Sequence, residues 1–249
     1  MPMTLNKLKM LFVILLLPTS VEVKFAKADN DFIVYSPYVV KGQSEIEIYG
    51  FNSQDSRSDL NGATGYNISV GHAVTNWWKP EVYIGEFNRY PGGTTHSSGY
   101  EFENTFQLSE IGEFWADIGF LASYADNIQP GIPNATEFGP LFEKMTGNID
   151  QRINFIWEKQ IGSGASSAYM FRSAYSVSYK IHSEKSTYSP GIEAYYRPAD
   201  NSNQIGPVFY GECRTDEGSE LEYSFGAVFG INPSAPVKTF LARLEYEFF

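Results

Sequence analysis

The sequence predicts an all-β fold, an antiparallel transmembrane β-barrel of about twelve strands, with ten and fourteen as the neighbouring even counts. Three observations predict it. Polar and apolar residues alternate with a period of two through most of the 249 residues. Aromatics make up 16% of the chain, yet mean hydropathy is only −0.27, and no segment after the N-terminal leader reaches the apolar length of a membrane helix. A barrel reconciles these values, because alternation hides its apolar face from any averaged hydropathy. Finally, the chain ends on the two-faced stretch FLARLEYEFF, where most chains end in something polar and frayed.

The first element is a leader. Lys7 and Lys9 precede the apolar run MLFVILLL, and small residues at Ala26 and Ala28 follow. This is the layout of a cleaved signal peptide over residues 1–28, leaving a barrel domain over 29–249. The leader carries four Lys and one Glu, so its removal makes a chain of formal charge −11 more acidic still. Such a chain is a poor partner for nucleic acid. Cys213 is the only cysteine, so no internal disulfide can form, and stability must come from a large core or from lipid.

The strands follow in order. SEIEIYGF sets Ile46 and Ile48 against Glu45 and Glu47, and GYNISVGH sets Tyr66, Ile68 and Val70 against Asn67 and Ser69. PEVYIGEF, GYEFENTFQL and EFWADIGFLASY continue the pattern, the last with Phe114 and Trp115 inside the strand. TEFGPLFEK, QRINFIWEK and AYMFRSAYSVSYK carry Phe138, Phe142, Phe155, Trp157, Phe171 and Tyr175 on the apolar side. GIEAYYR, QIGPVFYGE and ELEYSFGAVFG lead to the closing FLARLEYEFF. Two surroundings, lipid and lumen, explain two faces. Longer polar connections, such as NSQDSRSDLNGATG and NRYPGGTTHSSG, alternate with tighter ones around Thr75-Asn76 and at SEIG. Aromatics gather near strand ends, Trp77, Trp78 and Trp115 on one side and Tyr100, Trp157 and Tyr169 on the other, as two interfacial girdles would require.

The polar face supplies the candidate lumen lining. Glu45, Glu47, Glu81, Glu101, Glu103, Glu193, Glu222 and Glu245 fall on it, with Glu137, Glu143 and Glu247. So do Arg152, Arg172, Lys180, Arg197 and Arg243. Two readings stay open: opposite charges pair and close a narrow interior, or an acidic, water-lined path disfavours anions. The first expectation for function is a passive pore or transporter for small solutes. A closed barrel acting through its extracellular loops is the alternative. A weaker one is an acyl hydrolase built on His96 and Ser98, which the sequence places in a Gly-rich loop. His72, His96 and His182 fall in separate elements, so no zinc site is expected, and no cofactor is implied.

The last strand resembles the C-terminal signal of bacterial outer-membrane proteins, with Tyr246, Phe248 and Phe249 as its aromatic residues. That resemblance implies outer-membrane lipid and the barrel-assembly machinery as partners, and the outer membrane as the destination. The apolar set is in phase with Phe248 rather than with the final Phe249. GHAVTNWWKPEVYIGEF, GSGASSAYMFRSAY, IGPVFYGE and LEYEFF also resemble exported barrels related to putative transporters of the MetA-pathway of phenol degradation. That second resemblance implies transport of hydrophobic substrates and identifies no binding residue.

Overall fold

A computed structural model describes residues 32–249, apart from 90, 216 and 217. The expected leader over 1–28 and its cleavage site lie outside the described residues. Twelve strands form the wall: β1 Ser44–Gln54, β2 Thr64–His72, β3 Trp78–Arg89, β4 Thr95–Gln107, β5 Asp117–Asn127 and β6 Asn134–Thr146, then β7 Ile149–Ile161, β8 Tyr169–Tyr179, β9 Ser186–Tyr196, β10 Gln204–Arg214, β11 Glu220–Gly230 and β12 Lys238–Phe248. A two-residue strand, Ile181–His182, continues β8 past an interruption at Lys180 and pairs with Thr187 and Tyr188 of β9.

Each strand pairs antiparallel with its sequence neighbours, and β1 pairs with both β2 and β12. The seam runs from Ser44 opposite Phe248 to Gln54 opposite Lys238, so the sheet closes and no edge is left bare. The Ser44–Phe248 end of the β1–β12 pair defines a terminal rim, where the chain enters β1 and leaves β12. The opposite rim carries the connections 55–63 and 231–237.

Burial follows the alternation. Ile46, Ile48, Val70, Ile84 and Phe102 point outward and are exposed, whereas Glu45, Glu47, Ser69, Glu81 and Glu103 between them are buried inside. A polar residue is more buried than its apolar neighbours, the inverse of a water-soluble sandwich. Outward aromatics cover one another along the wall: Phe138 stacks on Trp157, and Trp157 meets Phe171 at 5.2 Å. On the terminal rim, Trp77 stacks on Phe106, and Trp115 stands 82% exposed in the connection 108–116. Amphipathic rings at that level suit a headgroup boundary.

The elements differ from the sequence-based expectation at four places. Phe114 and Trp115 lie in the 108–116 connection, because β5 begins only at Asp117. His96 and Ser98 stand on β4, because backbone pairing of 95–99 with β3 continues into residues that alternation does not mark. Arg197 lies just beyond β9, in the connection 197–203. The contrast between long and tight connections is weak, since the longest on each rim, 55–63 and 108–116, span the same number of residues.

A lumen filled by the N-terminal segment

Residues 32–43 run inside the barrel and join β1 through a turn at Lys41-Gly42 on the terminal rim. Nothing in the alternation of the strands foretells this strap. Its available signal is the run Phe32-Ile33-Val34-Tyr35 before Ser36-Pro37, apolar on consecutive positions and so buried on both sides if it is extended.

The strap is held by side chains of the wall. The Tyr35 amide donates to Asn154 Oδ1 at 2.7 Å, and Asn154 Nδ2 donates to the Tyr35 carbonyl at 3.0 Å. Ser36 Oγ donates to Glu143 at 2.6 Å, the Tyr38 hydroxyl to Asp117 at 2.6 Å, and the Val39 amide to Gln107 Oε1 at 2.9 Å. Gln43 donates its side-chain amide to Glu247. An extended chain without strand partners must satisfy its backbone in this way, since buried peptide groups left unpaired are costly.

Toward the opposite rim the strap packs into apolar clusters. Phe32 meets Phe51 at 5.2 Å and the edge of Tyr195 at 5.1 Å, and with Ile33 and Val34 it packs against Tyr49, Ala174, Val228 and Leu241. A second cluster, Leu121, Leu141 and Ile156, packs against Tyr35. Edge and tilted ring contacts at these separations are favourable beyond simple burial.

Toward the terminal rim the lumen is ionic. A cavity of about 540 Å³ lies there. Of the residues that sequence assigns to the lumen, Glu47, Glu81, Glu103, Glu222 and Glu245 line it with Arg152, Lys180 and Arg243. Glu45 is buried beside it, its carboxylate accepting both hydrogen bonds of Lys79 at 2.7 and 2.8 Å. Arg243 bridges Glu47 and Glu245. Arg152 pairs with Glu143 at 3.2 Å and Asp150 at 3.0 Å, and Lys180 lies 3.5 Å from Asp150. Arg172 pairs with Glu137 farther along the wall, and Glu101 is half-buried on β4. Glu193 accepts hydrogen bonds from the hydroxyls of Tyr195 and Tyr210, both at 2.6 Å. Arg197 stands apart, 3.1 Å from Asp200 in its own connection.

His96 and Ser98 have different hydrogen-bond partners. The His96 Nε2 contact is Thr94 Oγ1 at 3.0 Å, while Ser98 Oγ accepts from Asn88 Nδ2 at 2.6 Å. At the chain end, Tyr246 and Phe248 stack at 5.7 Å, and Phe249 is 75% exposed.

No family model matches the chain, and no curated protein matches it. Solved structures do. An outer membrane channel from Pseudomonas putida F1 is 12% identical, with a TM-score of 0.54 over 88% of this chain and 98% of that one. A NanC porin structure is 14% identical, with a TM-score of 0.48 over 82% of this chain and 99% of the other. At these identities the likeness to the channel is one of fold: the chain has the architecture of a bacterial outer-membrane β-barrel. The narrower resemblance to the phenol-degradation group finds no support in these comparisons.

Proposed function

We propose that this chain is a passive channel of the bacterial outer membrane, passing small solutes through a lumen kept narrow by residues 32–43. The observation that carries the reading is a closed barrel whose interior holds a polar, charge-lined cavity of about 540 Å³ beneath a non-strand segment. A wall alone accounts for neither charge in the lumen nor a non-strand segment within it. Carboxylates outnumber cations around the cavity, so cations are favoured over anions in transit.

The test is conductance in planar bilayers for the full chain and for a variant lacking residues 32–38. The full chain should give small, cation-preferring steps, and the variant steps several times larger. Retained heat-shifted mobility on a detergent gel establishes that the variant is folded. Absence of conductance from both, with both folded, overturns the channel reading.

A specific contact favours a second reading, the closed barrel that works through its loops. Asp55 and Arg57 clasp the connection 231–237, with Val237 donating its amide to Asp55 at 2.9 Å and Arg57 donating to the Ala235 carbonyl at 2.8 Å. Catalysis is not part of either reading, and loss of ester hydrolysis in Ser98→Ala, from an active parent, is the result that would bring it back.

A further inference from the structure

Glutamates face glutamates where the barrel closes. Across the β1–β12 seam, Glu45 lies opposite Glu247 and Glu47 opposite Glu245. On the next pairing, Glu245 also lies opposite Glu222, and Glu247 opposite Glu220. Like charges directly opposite on one face of a sheet are destabilising unless something of opposite charge lies between them. The chain supplies part of that. Lys79 sits on Glu45, and Arg243 bridges Glu47 and Glu245, while Glu247 accepts a hydrogen bond from the neutral amide of Gln43.

Two further observations point to a cation site. Glu45, Glu245 and Glu247 each place a carboxylate oxygen so that the three lie within 4.8 Å of one another. Two oxygens bound at about 2.3–2.6 Å to one calcium ion are separated by at most about 5.2 Å, so a spread of this size admits one shared ion. On the adjoining wall, Glu47 Oε1, Ser69 Oγ and Glu81 Oε1 have no hydrogen-bond partner among the described residues, although their residues are 3%, 0% and 6% exposed. Ser69 is the register partner of Glu47, and Glu81 lies opposite Gly71, the partner of Glu45. Glu47 and Glu81 line the same cavity as Glu245 and Glu247. The unsatisfied groups are thus oxygens, with no nitrogen or sulfur ligand among them, the donor set of a hard cation rather than of zinc.

We propose that Glu45, Glu245 and Glu247, beside the unpartnered oxygens of Glu47 and Glu81, hold a divalent cation of the calcium class at the terminal mouth of the lumen. Its two positive charges offset the repulsion that Lys79 and Arg243 leave uncompensated. The placement depends on Gly71: the Glu45 side chain lies across it, and a Cβ there would come within 2.6 Å of Glu45 Oε1. The site goes beyond the channel reading and does not require that anything pass through the barrel.

The experiment uses the full chain, folded in detergent and stripped with a chelator, and terbium as the probe, excited through tyrosine. Tyr83, the register partner of Ser69, lies on the same wall. Luminescence should saturate at one ion per barrel and be displaced by calcium but not by equal sodium. Glu245→Gln/Glu247→Gln should bind about tenfold or more weakly, because affinity follows ligand charge. Gly71→Ala, which displaces Glu45 without altering charge, should weaken binding too, whereas Glu113→Gln in the 108–116 connection should not. Signal that never saturates, or equal binding by all four proteins, means diffuse screening and overturns the site. Should the double variant fail to fold, wild-type affinity in folded Gly71→Ala is enough to overturn it.

Discussion

Asn154 supplies both backbone hydrogen bonds of one residue in the strap, accepting from the Tyr35 amide and donating to the Tyr35 carbonyl. It stands in for the strand neighbour that residue 35 lacks. In Asn154→Ala both groups remain buried with no partner, at a cost of about 1–3 kcal/mol each. The strap should then leave its seat more often while the wall stays intact. Amide exchange at residues 33–36 should quicken by about tenfold or more, with protection in β1 and β12 unchanged. Equal loss of protection in the wall would mean that Asn154 supports the barrel rather than the strap. The alternation of Asn154 with Ile153 and Phe155 can be read from sequence, but its partner 119 positions earlier cannot.

Among the elements, the alternating strands are the legible ones, because lipid and lumen impose opposite demands on successive residues. The sequence of β1 shows which residues share a face. It does not show that Glu47 meets Arg243, since that contact depends on the register of the closing seam. The strap was illegible for a different reason: enclosed on all sides, residues 32–35 have no polar face to set up a period. Alternation misses the start of β4 because backbone pairing, which carries 95–99, is blind to side-chain type. The connection 55–63 yields a pH prediction. The Asp55 carboxyl is held well below the usual carboxylate range, foremost by hydrogen bonds from the Arg57 side chain and backbone. A depressed folded value means the clasp contributes fully above the unfolded value near 3.8 and is lost as pH falls through the folded one. Protease sensitivity of 55–63 and 231–237 should therefore stay flat from neutral pH to about 5. Asp55→Asn should raise it at every pH, and an unaltered pattern in that variant would show that the clasp does not order these loops.

At the scale of the molecule, closure depends on two strands that are farthest apart in sequence. Pairing β1 with β12 is a non-local step, slow by its chain entropy, and until it occurs β1 offers an open edge. The closing strand therefore decides assembly. Phe248 pairs with Ser44 and stacks on Tyr246, whereas Phe249 is beyond the ladder. Phe248→Ala should reduce the heat-modifiable, membrane-embedded fraction more than Phe249→Ala does. The reverse order would show that the terminal residue is read by the assembly machinery irrespective of its phase.

The strap also behaves as a ligand that the barrel carries with it. Tethered through Lys41-Gly42 to the first strand, it meets its seat at an effective concentration on the order of millimolar or above, whatever the amount of protein in the membrane. Dilution cannot release it. A free solute that uses the apolar end of the lumen must displace Phe32 against that standing concentration, so weak binders are excluded while the strap is seated. Occupancy of the lumen is in this sense a property of chain connectivity as much as of contact chemistry.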